Sequence, residues 1–312
     1  MRAVAAVLCV IALAACGPDG DGEPRADDTG DADELIVQAA NFDLAAGEKT
    51  RFMAGVLTPD QLFVSYGTVD MKFFYLGTKE GSGTAQPGPT ETGRFLAIEG
   101  SGATEGPIAA PASRGRGVYA AQVTFDRAGF WAVELTAELD GAARTGQSVF
   151  EVFEEHRIPT VGDRALRTDN RTLSSDVPRQ ALDSRARTSG EIPDAALHRT
   201  TIADSIRARE PALVVLSTPV YCQSRFCGPV TDMVAGLQKD YGDRANFIHI
   251  EIWFNFQRQE VNKAAAEWLF RKGDLTEPWI FLIGDDGRIV ARWDNVALRE
   301  EIEPFLRELP RL

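Results

Sequence analysis

The chain has 312 residues, with 33 lysines and arginines against 46 aspartates and glutamates, a net charge of −13. That balance argues against a nucleic-acid partner, which rewards basic patches. With 44% hydrophobic residues the chain is globular rather than disordered, and its length suits two cores better than one.

The first element is a leader. Met1 and Arg2 precede an unbroken apolar run over residues 3–15. It is too short to span a bilayer and right for the core of a signal peptide. Leu13-Ala14-Ala15-Cys16 closes it and resembles a bacterial lipobox. The resemblance implies cleavage after residue 15, a lipid on Cys16, and an anchor on the extracytoplasmic face of the cell membrane or outer membrane. Residues 16–34 follow as an acidic tether. Between 18 and 34 there are eight acids, one Arg (Arg25) and no apolar period, the pattern of a solvated, self-repelling linker. Of the four cysteines, Cys9 leaves with the signal and Cys16 carries lipid, so Cys222 and Cys227 remain as thiols. Outside the cytosol a disulfide is their default state.

Residues 35–153 carry short strands with turn punctuation, predicted at 49–57, 61–65, 69–76, 94–98, 117–125, 130–139 and 147–153. Loops rich in Gly, Pro, Ser and Thr occupy 79–93 and 99–116. Seven strands with no helix predict an antiparallel sandwich of immunoglobulin type. The stretch 117–139, with Gly129 and Trp131 between its two strands, resembles the last hairpin of YtkA-like bacterial extracytoplasmic modules. It holds no catalytic set, which suits a spacer or docking role. Residues 154–193 are polar and arginine-rich and read as a connector that wraps or links.

From residue 194 to 312 the pattern alternates helix and strand. Helices are predicted at 195–209, 230–241, 259–272 (ended by Gly273) and 297–309, and strands at 213–216, 246–252, 279–283 and 288–293. An apolar run enters Tyr221-Cys222-Gln223-Ser224-Arg225-Phe226-Cys227-Gly228-Pro229, and a helix leaves it. A thiol where a strand hands over to a helix faces the positive end of the helix dipole, which favours the thiolate. A second thiol five residues on closes a disulfide over a short loop.

That order, with cysteines at the first strand-to-helix junction, Pro278 before a strand and Asp286-Gly287 in a hairpin, resembles the thioredoxin fold over residues 195–312. The resemblance implies thiol–disulfide exchange with an extracytoplasmic protein that carries a thiol or disulfide. Cys222 and Cys227 would be catalytic, Glu277, Pro278 and Trp279 would face the substrate, and Pro278 would follow a cis bond. The family's two-residue spacer is four residues here, 223–226. Cys222 is the expected nucleophile. An alignment of Phe226-Cys227-Gly228-Pro229-Val230 on the family motif would give that role to Cys227. Leu216 occupies the position of the family's buried acid, and Glu251 and Glu277 are candidates to replace it.

Two other readings stand beside this one. In one, the disulfide staples a loop in a non-catalytic interaction or assembly lipoprotein. Alternatively, the two thiols and His249 would take copper, as in the Sco-like copper-delivery proteins. The leading reading needs no cofactor and no metal. His249 lies in an apolar strand, where a hydrogen-bonded core role is the ordinary one, and neither His156 nor His198 has a local partner. The run Trp253-Phe254-Asn255-Phe256 is either a platform for a partner or a surface covered by the connector or the sandwich.

Overall fold

The architecture is that of a computed structural model, which describes residues 34–312 apart from 82, 99–104, 188–189, 223–224 and 272–273. The expected signal segment with Cys9, the expected lipidation site Cys16 and the predicted tether to residue 33 lie outside the described residues.

Alternation of apolar and polar residues organises the first half. Nine strands follow one another: β1 (Ile36–Ala39), β2 (Lys49–Leu57), β3 (Phe63–Ser65), β4 (Thr68–Gly77), β5 (Gln86–Ala97), β6 (Ile108–Ala110), β7 (Gly117–Thr124), β8 (Gly129–Leu139) and β9 (Ala142–Val152). In β8, Val133, Leu135, Ala137 and Leu139 are buried while Glu134, Thr136 and Glu138 are not. β8 and β9 are joined through Asp140 and Gly141, both at positive φ (53° and 78°). Such a two-residue turn matches the twist of the paired strands.

The strands form one sheet in the order β6-β3-β2-β7-β5-β4-β8-β9, with β1 added on β2. β1 and its flank also reach β9. The Leu35 N–H donates to Thr145 O at 2.9 Å and the Ala39 N–H to Ser148 Oγ at 3.1 Å. The sheet thus curls back on itself around an aromatic core. Phe52 packs edge-on against Phe73 at 5.0 Å, and Phe125 against Trp131 at 5.1 Å.

This corrects the predicted immunoglobulin-type sandwich: one curled antiparallel sheet stands in place of two facing ones. The predicted loop 79–93 is largely strand β5. Its Gly, Pro and Thr content reads as loop, but pairing of residues 86–93 with β4 supplies their hydrogen bonds. Gly88 belongs there for a packing reason. A Cβ on it would meet Trp131 Cζ3 at 2.7 Å and Phe73 O at 3.0 Å.

The second half centres on β10 (Ala212–Ser217), buried at all 6 positions because its sheet is covered on both faces. Before it comes α1 (Ile202–Ala208), capped by Thr201, whose hydroxyl accepts from the Asp204 N–H at 2.9 Å. After it come α2 (Cys227–Tyr241), β11 (Asn246–Glu251), the ribbon β12 (Trp253–Asn255) and β13 (Glu260–Val261), α3 (Lys263–Leu269), and the ribbon β14 (Phe270–Arg271) and β15 (Asp274–Leu275). β16 (Trp279–Ile283), β17 (Ile289–Asp294) and α4 (Arg299–Glu308) end the chain. The sheet order is β11-β10-β16-β17, with β10 and β11 parallel and the other pairs antiparallel. Val214, Leu216 and Phe281 face Trp268 on one side, while Leu213, Val215 and Leu282 face Met233 and Val234 on the other.

The expected α/β thioredoxin-like domain over 194–312 is likewise corrected. Among the described residues strand makes up 41% and helix 17%, with 4 α-helices, and no clear thioredoxin-like C-terminal domain is evident beside the large antiparallel sheet. The helix predicted at 230–241 is present within α2, but two of the others are broken or much shortened. The stretch 195–209 divides into a one-turn 3₁₀ helix (Ala195–His198) and the 7-residue α1. The stretch 259–272 keeps only the 7-residue α3, started by an Asn262 cap. Aromatic and β-branched residues such as Trp253, Phe254, Val261 and Phe270 go into strands, which suit them better.

Segment 154–193 lies along the second half. The Gly162 N–H donates to Ile289 O, and the Ile289 N–H to Asp163 O, both at 2.9 Å. The two halves meet through Arg292 and the buried Asp43 (2.8 Å), Arg51 and Glu301 (2.6 Å), and Phe42 against Trp279. Burial pushes the Asp43 carboxyl up, but the hydrogen bond with His156, Arg292 and the Arg157 N–H outweigh it and hold the carboxyl below its usual range. Among the described residues no helix is long and apolar enough to cross a membrane.

Candidate functional site

β10 delivers the chain into the loop that carries Cys222, and α2 begins at Cys227. Two hydroxyls pin that first helical turn to the strand. Thr231 Oγ1 donates to Cys227 O at 2.7 Å and lies 2.7 Å from Ser217 Oγ. Cys222 and Cys227 are joined as a disulfide, with Cα atoms 5.9 Å apart. Cys227 is fully buried and Cys222 half-buried. The Cys227 N–H points at Cys222 Sγ, 3.3 Å away. That amide and the helix end behind it favour negative charge on Cys222 once the pair is reduced.

Glu277 completes this group. Its carboxylate lies within 4.8 Å of both sulfurs. Burial, with the charge of Glu251 behind it, pushes the Glu277 carboxyl up to about 8. One of its oxygens is buried without a hydrogen-bond partner. Glu251 is anchored differently: its carboxylate accepts from the Ser184 N–H at 2.7 Å, and burial pushes its carboxyl up. A carboxyl that changes protonation near neutral pH beside a buried sulfur is equipped to pass a proton to it.

The Glu277–Pro278 bond is cis. Pro278 and Trp279 are both buried. Trp279 stacks on Phe281 and donates its indole N–H to Thr276 Oγ1 at 3.1 Å, so it belongs to the core. Of the three residues expected to face a substrate, Glu277 has its carboxylate beside the sulfurs.

The aromatic run is half-covered. Phe256 stacks on Tyr221, the neighbour of Cys222, at 4.0 Å, Trp253 packs edge-on to Phe256, and Arg171 of the connector lies over Phe254.

His249 stands in a different group from the cysteines. Its ligand-atom neighbours are Asp183 and His198. The copper set of Cys222, Cys227 and His249 is therefore not assembled: Glu277 occupies the place beside the sulfurs. Sequence reasoning missed Asp183, which lies in the polar connector, and Ser184, whose hydroxyl accepts from the Val220 N–H of the cysteine loop at 3.2 Å. Nothing local marks either residue. His198 offers a weak signal, since it is one of only 3 histidines and follows the buried Leu197.

No protein-family model, no curated protein and no solved structure matches this chain.

Proposed function

We propose that this protein exchanges thiols and disulfides with an extracytoplasmic protein partner, held at a membrane through a lipid on Cys16. The observation that carries the reading is Glu277 beside the Cys222–Cys227 disulfide, with one sulfur half-buried and the other fully buried.

A partner thiolate attacks Cys222 Sγ. The Cys222–Cys227 bond breaks, a mixed disulfide forms, and the electron pair leaves on Cys227 Sγ. Protonated Glu277 gives that sulfur its proton. A second partner thiolate then attacks the partner sulfur of the mixed disulfide. Cys222 leaves as a thiolate stabilised by the Cys227 N–H, and the partner departs oxidised by two electrons. In reverse, ionised Glu277 takes the proton from Cys227, whose thiolate resolves the mixed disulfide. Tyr221 and Phe256 flank Cys222 with an aromatic surface for the partner's backbone and side chains.

The test is a reduction potential measured against a dithiothreitol couple. A working exchanger lies well above the roughly −300 mV typical of structural disulfides in secreted proteins. A bond reduced only when the protein unfolds would leave a structural staple, and with it the reading of an interaction lipoprotein.

A further inference from the structure

We propose that Asp183, His198 and His249 form a second site, which binds a divalent transition ion of the zinc class. It is separate from the cysteines and does not depend on the exchange reading.

The geometry is that of ligands around a shared ion. His198 Nε2 and His249 Nδ1 each lie 3.6 Å from Asp183 Oδ2, and all three side chains are 0% exposed. The three atoms lie within 4.8 Å of one another. At 3.6 Å these are not hydrogen bonds. Two ligand atoms about 2.0–2.2 Å from one tetrahedral ion stand about 3.3–3.5 Å apart.

The protonation pattern points the same way. Ser217 O is 3.3 Å from His249 Nε2 and can only accept, so Nε2 carries the hydrogen. In the neutral ring Nδ1 then has a bare lone pair, and it faces a carboxylate oxygen. Two acceptors then face each other, and either a metal cation or a second proton on the ring lies between them. Among the described residues, His249 Nδ1 and both ring nitrogens of His198 are buried without a hydrogen-bond partner. Buried polar atoms are seldom left so.

Asp183 does not need the imidazoles as counter-ions. Arg185 already holds it, Nε to Oδ1 at 3.0 Å and Nη2 to Oδ2 at 2.7 Å. Arg185 is shared in turn with Asp194 (3.1 Å) and Asp232 (2.7 Å), which spreads its charge over three carboxylates. It acts as the donor that orients a ligating carboxylate, while Ser217 O orients the ligating imidazole. Two nitrogens and one oxygen suit zinc-class ions. Soft Cu(I) prefers thiolates.

An ion here ties the connector to β11. Ser184, next to Asp183, holds Glu251 and the Val220 N–H of the cysteine loop. The tie therefore ends at the wall of the disulfide site.

The experiment uses untagged protein with its disulfide oxidised. Zn²⁺ is titrated by calorimetry, and Co²⁺ by its visible absorption. One equivalent is expected to bind in the native protein and equally in a Cys222→Ser, Cys227→Ser double variant. Affinity is expected to fall more than about tenfold in His198→Gln and in His249→Gln. Absence of stoichiometric binding to the native protein, or undiminished affinity in both histidine variants, overturns the site. X-ray absorption on the zinc-loaded native protein needs no variant. A light-atom shell with two imidazoles is expected, and sulfur in the shell overturns the assignment.

Discussion

The Glu277 carboxylate and the buried sulfur of Cys227 lie within 4.8 Å of each other, although one precedes β16 and the other opens α2. The contact joins two elements packed on the same central strand, β10. It places a carboxyl that protonates at about 8 against the sulfur that must gain or lose a proton in each exchange.

Glu277→Gln is therefore expected to slow reduction and reoxidation of the disulfide at neutral pH by about 100-fold or more, the scale of a lost general acid–base group. The pH profile of the rate should lose its break near 8. Stability gives an independent check. The folded carboxyl is raised above its usual 4.5. The native state thus holds the extra proton between the two values, and stability declines as pH rises through that window. Glu277→Gln should abolish the decline in urea titrations at several pH values. An unchanged rate profile would remove Glu277 from the chemistry.

The Asp43–Arg292 pair tests the join between the halves. Removing one partner of a buried pair costs about 3–5 kcal/mol, so Asp43→Asn should lower the urea midpoint clearly. The pH signs are opposite for the two acids and bases involved. Asp43 is held below 3.8, so its contribution is present above that value and fades as pH falls through the folded value. Burial pushes His156 down, but its hydrogen bond with Asp43 wins and raises it above 6.5. Its contribution is complete below 6.5 and is lost as pH rises through the folded value. Asp43→Asn should flatten both limbs.

What could be read from the chain was local. The cysteines stand between an apolar run and a helix within a few residues of each other, so the strand–loop–helix layout shows in order and spacing. Glu277 sits beside a proline that drew attention for its own reason. The curl of the sheet was not legible, because the meeting of Leu35 with Thr145 is a long-range event that no periodicity records. Nor was the Asp183, His198 and His249 group, whose members come from a polar connector, a single turn and a buried strand. The short helices follow from caps at Thr201 and Asn262 that interrupt otherwise helical stretches.

Gly88→Ala should test the reason given for glycine in β5. The new methyl group would press on Trp131, which is 1% exposed and has no free direction to move. Overpacking of this kind costs about 1–3 kcal/mol. Tryptophan fluorescence and the thermal midpoint should both shift. Gly55→Ala, in β2 of the same sheet, where a Cβ would meet nothing closer than Gln38 O at 3.9 Å, is a control for the steric part of the effect.

Cys16→Ser should move the protein from the membrane fraction to the soluble fraction or block its processing, and mass spectrometry of the native protein should find a lipid on Cys16. An unlipidated native protein, or a variant that fractionates as the native one does, would refute the anchor.

The two sulfurs should not be equivalent. Cys222 is half-buried and receives the Cys227 N–H, so in the reduced protein it should ionise below the ~8.5 of a free thiol and alkylate first. Cys227 is fully buried and should react slowly, because its access to reagent requires the helix end to open. A Cys227→Ser variant should therefore accumulate mixed disulfides with the partner, since the attacking thiol is present and the resolving one is gone. Cys222→Ser should trap little. If Cys222→Ser traps the partner and Cys227→Ser does not, the roles are reversed, and the alignment that makes Cys227 the nucleophile is the correct one.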